Sequence, residues 1–206
     1  MTPIETEYQG VKFRSRTEAR WAMVFNSLNI KWLYEPEGFD LPEVGRYVPD
    51  FFLPDLDSWF EVKGPKPTED ETEKCCRLAC ASNKRVFIAY GFVSTDYRIM
   101  ACHADGWVDE EQYAFCQCPA CLTFGIEFCG KQDRIGCGCS NPFPPHPDTR
   151  DTIAFALGAA ERHRFWDPPA PEPKAPRSRV LESLNRMCKN ERAKSFAAKR
   201  THLTPK

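Results

Sequence analysis

The sequence predicts a mixed α/β fold, a sheet flanked by helices with a small cysteine-rich module attached. Three observations carry that expectation. An amphipathic stretch over 15–29 is followed by short extended runs; a helical pattern over 68–81 separates apolar runs at 59–63 and 85–90; beyond residue 100 the texture changes to Cys, Gly and Pro with short elements. Helices interleaved with strands bury such faces most simply against a mixed sheet. The expected organisation is a core over 1–100, a Cys-rich module over 101–147, a helix packed on the body over 148–166, and a Pro-rich linker with a basic, disordered tail over 167–206.

Residues 1–14 read as an extended arm ending in Val11-Lys12-Phe13-Arg14, a short edge strand. Ser15 followed three residues later by Glu18 has the pattern of a capping box. Trp21, Phe25 and Leu28 then recur at i, i+4 and i+7, with Ala22 and Met23 widening the apolar stripe, and the helix should stop near Asn29. Residues 30–34 suit a short strand, stopped by Glu35-Pro36-Glu37-Gly38. Residues 46–53 read as one extended segment in which Pro49, lacking an N–H, marks an edge or a bulge. A turn at 54–57 leads into Trp59–Lys63, where period two puts Glu61 and Lys63 on one face and Phe60 and Val62 on the other. Thr68 caps a helix reaching about Ala81, with Glu69, Asp70 and Glu71 in its first turn, where negative charge is favoured. Arg85–Tyr90 is an apolar strand. Over 150–165, Ile153, Ala156, Leu157 and Ala160 line one helical face, interrupted by Gly158.

A chain of 206 residues can bury one substantial core. Its net charge of −1 excludes a bulk polycation, yet residues 171–206 hold ten Lys or Arg against three Glu, so the body is acidic and the tail basic. A local patch of that kind can still grip nucleic acid, with strong salt dependence. No apolar run is long enough to span a membrane, and residues 1–12 are unlike a secretory signal. Eleven cysteines, six of them between 116 and 139, suit a metal centre in a reducing compartment better than a disulfide scaffold. That points to the cytoplasm.

The strongest chemical signal is Pro49-Asp50, ten intervening residues, then Glu61-Val62-Lys63. If the two segments pair, Asp50 and Glu61 converge at one sheet end, where two desolvated carboxylates repel unless a cation offsets them. A hard divalent ion, Mg²⁺ or Mn²⁺, is the natural occupant. Lys63, on the same face, would lie beside metal and phosphate. Asp55 and Asp57 fit the same loose spacing, but fall in the turn. Glu18 has two candidate roles, closing the capping box or facing the sheet end near the metal. Arg14, Arg16 and Arg20 around a helix start are poor dipole partners, so they read either as phosphate contacts or as a solvated charge run.

The runs Phe13-Arg14-Ser15-Arg16-Thr17-Glu18-Ala19-Arg20-Trp21, Tyr34-Glu35-Pro36-Glu37, Tyr47-Val48-Pro49-Asp50-Phe51 and Phe60-Glu61-Val62-Lys63-Gly64 together resemble the PD-(D/E)XK nuclease superfamily. Within it, the chain is similar to small phage and prophage endonuclease-like proteins, to the amino-terminal domain of TnsA-type transposon-end nucleases and to phage Holliday-junction resolvases. The resemblance covers about residues 10–91. It implies a restriction-endonuclease-like core, with Glu18 as the first-helix carboxylate, Asp50 and Glu61 as metal ligands, the Val62 carbonyl as a further ligand and Lys63 as the motif lysine. It also implies Mg²⁺-dependent hydrolysis of DNA to 5′-phosphate and 3′-hydroxyl ends. One centre per chain makes a homodimer attractive for cutting two strands.

Cys118-Pro119-Ala120-Cys121 is a compact knuckle, and Cys137-Gly138-Cys139 supplies a second pair. Four thiolates suit structural, tetrahedral Zn²⁺ in a zinc-ribbon-like module. Cys116 and Cys129 remain alternative ligands. Two rival readings stay open beside the nuclease: a non-catalytic zinc-containing nucleic-acid-binding protein, and a structural or interaction protein of a phage assembly.

Overall fold

The computed structural model describes residues 3–94, 96–110, 113–131, 135, 137–139 and 150–165. The expected linker and basic tail over 167–206, and residues 140–147 of the expected module, lie outside the described residues. The chain opens with a hairpin of β1 (Thr6–Tyr8) and β2 (Val11–Phe13). Its two turn residues, Gln9 and Gly10, both have positive φ, the handedness that matches the twist of flanking strands. Helix α1 (Arg16–Ser27) follows, capped by Ser15, whose Oγ accepts the Glu18 N–H.

Next come β3 (Leu33–Tyr34), a hairpin of β4 (Phe39–Leu41) and β5 (Gly45–Tyr47), β6 (Phe51–Leu53), a 3₁₀ turn at Pro54–Leu56, and β7 (Ser58–Lys63). Helix α2 (Glu69–Ser82) carries a complete capping box between Thr68 and Glu71. It leads to β8 (Arg85–Tyr90), β9 (Arg98–Cys102) and β10 (Val108–Asp109), then the hairpin β11 (Tyr113–Gln117) and β12 (Phe124–Phe128), and α3 (Arg150–Arg162). The central sheet has the order β10-β9-β8-β7-β6-β3. Its pairs are antiparallel except β7 with β8, which α2 connects. The architecture is the expected mixed sheet flanked by helices.

Three expectations change. The extended run over 46–53 divides, because Pro49 has no N–H to continue a ladder: Tyr47 pairs with Phe39 in the small hairpin, while Phe51 pairs with Phe60 in the sheet. The strand expected over 30–34 shortens to Leu33–Tyr34, as β6 has only three residues to offer. Finally, the boundary at residue 100 falls inside β9. This strand pairs along β8 from Tyr90↔Arg98 to Val86↔Cys102 and buries Ile99, Met100, Ala101 and Cys102. Strand β8 is apolar on both faces and interior to the sheet, so it needs a neighbour on each side.

Alternation along β7 sends Phe60 and Val62 toward α1 and α3, and Trp59 toward α2. Trp21 and Phe25 of α1 meet Phe60 edge-on at 5.2 and 5.0 Å, and Trp21 stacks on Phe115 of β11 at 5.9 Å. Ile153, Ala156, Leu157 and Ala160 of α3 join the same core, as their spacing predicts. Phe60 is fully buried under these rings, so Phe60→Ala is expected to lose about 3–5 kcal/mol of stability in urea unfolding. A loss below about 1 kcal/mol would show that the packing does not depend on it. Among the described residues, no helix is long and apolar enough to cross a membrane.

Candidate functional site

The pairing Phe51↔Phe60 sets the site. One step earlier along an antiparallel ladder, Asp50 stands opposite Glu61, so both side chains leave the same face. Side chains replace the ladder there. The Val62 N–H donates to Asp50 Oδ2 at 2.8 Å, and the Asp50 N–H donates to Glu61 Oε1 at 3.1 Å. Each carboxylate is thus braced by the other's strand. Asp50 and Glu61 are only 5 % and 2 % exposed. Val62 turns its side chain into the core.

Arg14, just past β2, reaches this pair. Its Nη2 donates to Asp50 Oδ1 at 2.6 Å, and its Nε lies 2.6 Å from Glu35 Oε1. Glu18 sits alongside with both oxygens engaged: Oε1 accepts from Ser15 Oγ at 2.7 Å, and Oε2 accepts from Tyr34 Oη at 2.6 Å and the Arg14 N–H at 3.1 Å. The Glu18 carboxylate steadies the helix start, and its charge is felt at Asp50. Of the three arginines, Arg14 reaches the carboxylates, Arg16 is half-buried at the helix start, and Arg20 donates through Nε to the Ala160 carbonyl of α3 at 3.1 Å.

Lys63 Nζ lies 3.5 Å from Glu61 Oε2 and 3.9 Å from Glu71 Oε1 of α2. Burial, then the charges of Glu61 and Glu18, push the Asp50 carboxyl well above the usual carboxylate range, against the pull of the Val62 N–H and Arg14. Burial also raises Glu61, opposed by Lys63 and by hydrogen bonds from Tyr47 and Asp50. For Lys63 burial works to lower the ammonium pKa, but Glu61 and Asp50 outweigh it and the net direction is up. The lysine stays charged at neutral pH. Tyr47, raised by burial and by Glu61, stays a neutral donor. Its hydroxyl also lies 3.6 Å from Cys75 Sγ on α2.

Tyr47, Tyr34 and Glu35 were not among the expected site residues. Tyr34, Glu35 and Tyr47 lie within the motif runs, but nothing in spacing alone says that the β4–β5 hairpin delivers Tyr47 onto Glu61. Asp55 pairs instead with Lys31 at 2.9 Å and Asp57 with Lys84, on the far side of the turn, which separates both from the site.

A second cluster lies beyond β11. The sulfur atoms of Cys118, Cys121, Cys137 and Cys139 all fall within 4.8 Å of one another and can hold a metal ion. Four sulfurs at about 2.3 Å from one tetrahedral centre would sit about 3.8 Å apart, so the spacing fits. The knuckle is closed by the Leu122 N–H donating to the Cys118 carbonyl at 2.8 Å and the Cys118 N–H donating to the Thr123 carbonyl at 2.7 Å. Ile135 packs over Gly125 of β12, where any Cβ would come within 3.0 Å of it, and so docks the later pair. Cys116 is buried with its Sγ 4.0 Å from the Lys131 carbonyl, and Cys129 is exposed; neither joins the cluster. Hydrogen bonds from Thr123 draw the Cys121 thiol down to about 6, and sulfur neighbours push Cys139 up to about 12. Comparison of the chain with protein-family models, with curated proteins and with solved structures gives no match.

Proposed function

We propose that the chain is a divalent-metal-dependent endonuclease that hydrolyses phosphodiester bonds in DNA. One observation carries the reading: two carboxylates, each more than nine-tenths buried, stand directly across an antiparallel pair with an ammonium group 3.5 Å from one of them. Burying two acids side by side is unfavourable unless a cation joins them. An all-oxygen donor set of this kind fits Mg²⁺ or Mn²⁺. Such an ion, when bound, supplies a water of lowered pKa and offsets charge on the phosphoryl oxygens.

The chain's own groups have separable tasks. Asp50 and Glu61 would hold the ion, with the Val62 carbonyl as a further oxygen by resemblance to PD-(D/E)XK nucleases. Lys63 would hydrogen-bond the phosphate as its negative charge builds. Tyr47 fixes the Glu61 carboxylate, and Glu18 fixes the backbone that carries Arg14. Arg14 competes with any ion for Asp50 Oδ1, so Arg14→Gln should bind Mn²⁺ about tenfold more tightly in calorimetry. Equal or weaker binding would remove Arg14 as a competitor.

The decisive experiment is a cleavage panel of linear, nicked, flapped and four-way DNA with Mg²⁺ or Mn²⁺, run with the native protein and with Lys63→Ala. Metal-dependent cutting by the first and not the second is expected. None by either overturns the enzyme and leaves a non-catalytic binding role; equal cutting by both overturns the assignment of the reaction to this site. We further propose that the four-cysteine cluster holds structural Zn²⁺, since a closed thiolate set leaves no position open for chemistry.

A further inference from the structure

Cys76 on α2 and Cys102 on β9 lie with their sulfurs 3.2 Å apart, both as free thiols. Apolar groups pack around them, Leu78, Ile88, Met100 and Trp59 among them, while Glu61 and Lys63 stand farther along the same face of the sheet, at the carboxylate site. A buried cysteine is ordinarily a small packing residue. Here, however, two are brought into contact from elements 26 residues apart in sequence, with the Cys102 Sγ also 3.9 Å from the Thr72 carbonyl. The pair is asymmetric in access: Cys76 keeps 8 % of its surface open and Cys102 none. Both are buried, and Cys76 is the nearer of the two to solvent.

We infer that Cys76 and Cys102 form a reversible dithiol–disulfide pair, a modification site for a hydroperoxide that is separate from the carboxylate site and the four-cysteine cluster. The Cys76 sulfur attacks one peroxide oxygen; the O–O bond breaks, Cys76 becomes a sulfenic acid, and water leaves. The Cys102 sulfur then attacks the Cys76 sulfur. The S–O bond breaks, the departing hydroxide takes the Cys102 proton, and a second water leaves. Two thiols are oxidised to one disulfide, and one hydrogen peroxide is reduced to two waters. The neighbouring Cys102 sulfur holds Cys76 below the ordinary thiol range, which assists the first step. The sulfurs would close from 3.2 Å to about 2.05 Å. The bond would staple the helix that also carries Cys75, against Tyr47, and Glu71, near Lys63.

The test treats the full chain with stoichiometric hydrogen peroxide, followed by alkylation and peptide mapping with two proteases. The expected product has lost two hydrogen atoms and contains a Cys76–Cys102 cross-linked peptide. It unfolds at a higher temperature than the reduced protein, and a thiol reductant restores it. Cys75→Ser should retain the cross-link, which separates Cys76 from its neighbour. Cys102→Ser should instead leave a sulfenic acid on Cys76, trapped by dimedone. Should that variant not fold, Cys76→Ser serves: the cross-link must vanish and Cys102 must stay unlabelled. Full alkylation of both cysteines after peroxide, or bonds only among the cysteines between 116 and 139, overturns the pair. None of these readouts depends on DNA cleavage or on metal.

Discussion

Asp50→Asn is expected to lower metal-dependent cleavage at least about 100-fold while leaving the metal-free protein as stable as the native one, or more so, at neutral pH. The first half follows from losing one of two anionic ligands, since an ion at the reacting phosphate supplies several kcal/mol of charge stabilisation and each tenfold in rate is about 1.4 kcal/mol. The second half follows from linkage. Asp50 is raised in the fold above its value in the unfolded chain, chiefly by burial and then by Glu61 and Glu18. A carboxyl shifted that way favours the fold below its unfolded pKa, near 3.9, and that advantage is lost as pH rises through the folded pKa. Asparagine keeps an oxygen for the Val62 N–H but has no charge to bury. Arg14 keeps Glu35 and is half-exposed, so its loss of one partner is screened. The difference in stability between Asp50→Asn and native protein should therefore grow in favour of the variant from about pH 4 toward neutrality. Mn²⁺ should raise the melting temperature of the native protein and not that of the variant. Cleavage retained by the variant, or a stability difference running the other way with pH, would sink the reading.

Much of this site was legible because two local rules suffice for it. Period two along Trp59–Lys63 places Glu61 and Lys63 on one face, and the preceding turn is short enough that 50–53 must return beside 58–61. The Ser15–Glu18 pair likewise announces the helix start, although the Glu18 carboxylate reaches the Arg14 N–H rather than that of Ser15. What stayed hidden depends on long-range geometry. The β4–β5 hairpin, which carries Tyr47 to Glu61, has only three residues per strand and no strong alternation. Arg14 approaches Asp50 from 36 residues away. Strand β9 was obscured because Arg98–Cys102 is short and ends in a cysteine, and composition drew attention to the thiols. Cys76 of α2 meets Cys102 of β9, a partner that no helical spacing could reveal.

The four-cysteine cluster was readable from spacing, apart from its competition with Cys116 and Cys129, and it supports the second large prediction. One zinc per chain is expected in the purified protein. Cys121→Ser or Cys137→Ser should abolish it, whereas Cys116→Ser and Cys129→Ser should not. Structural zinc in small finger peptides contributes about 10–16 kcal/mol of apparent binding energy, so its removal can undo a weakly packed segment outright. Here the consequence should be graded along the β11–β12 hairpin. Tyr113, Phe115 and Ile126 are held in the main core, with Phe115 against Trp21 and Tyr97. The knuckle and the later pair are open to solvent at Cys121 and Cys139, while Cys118 is buried. After chelation, hydrogen exchange should quicken from Cys118 to Thr123 while β8 and β9 keep their protection. Global unfolding on chelation would mean that the core leans on the metal far more than its packing indicates. A chain that binds no zinc, or that loses it only when Cys116 is replaced, would break the assignment of ligands.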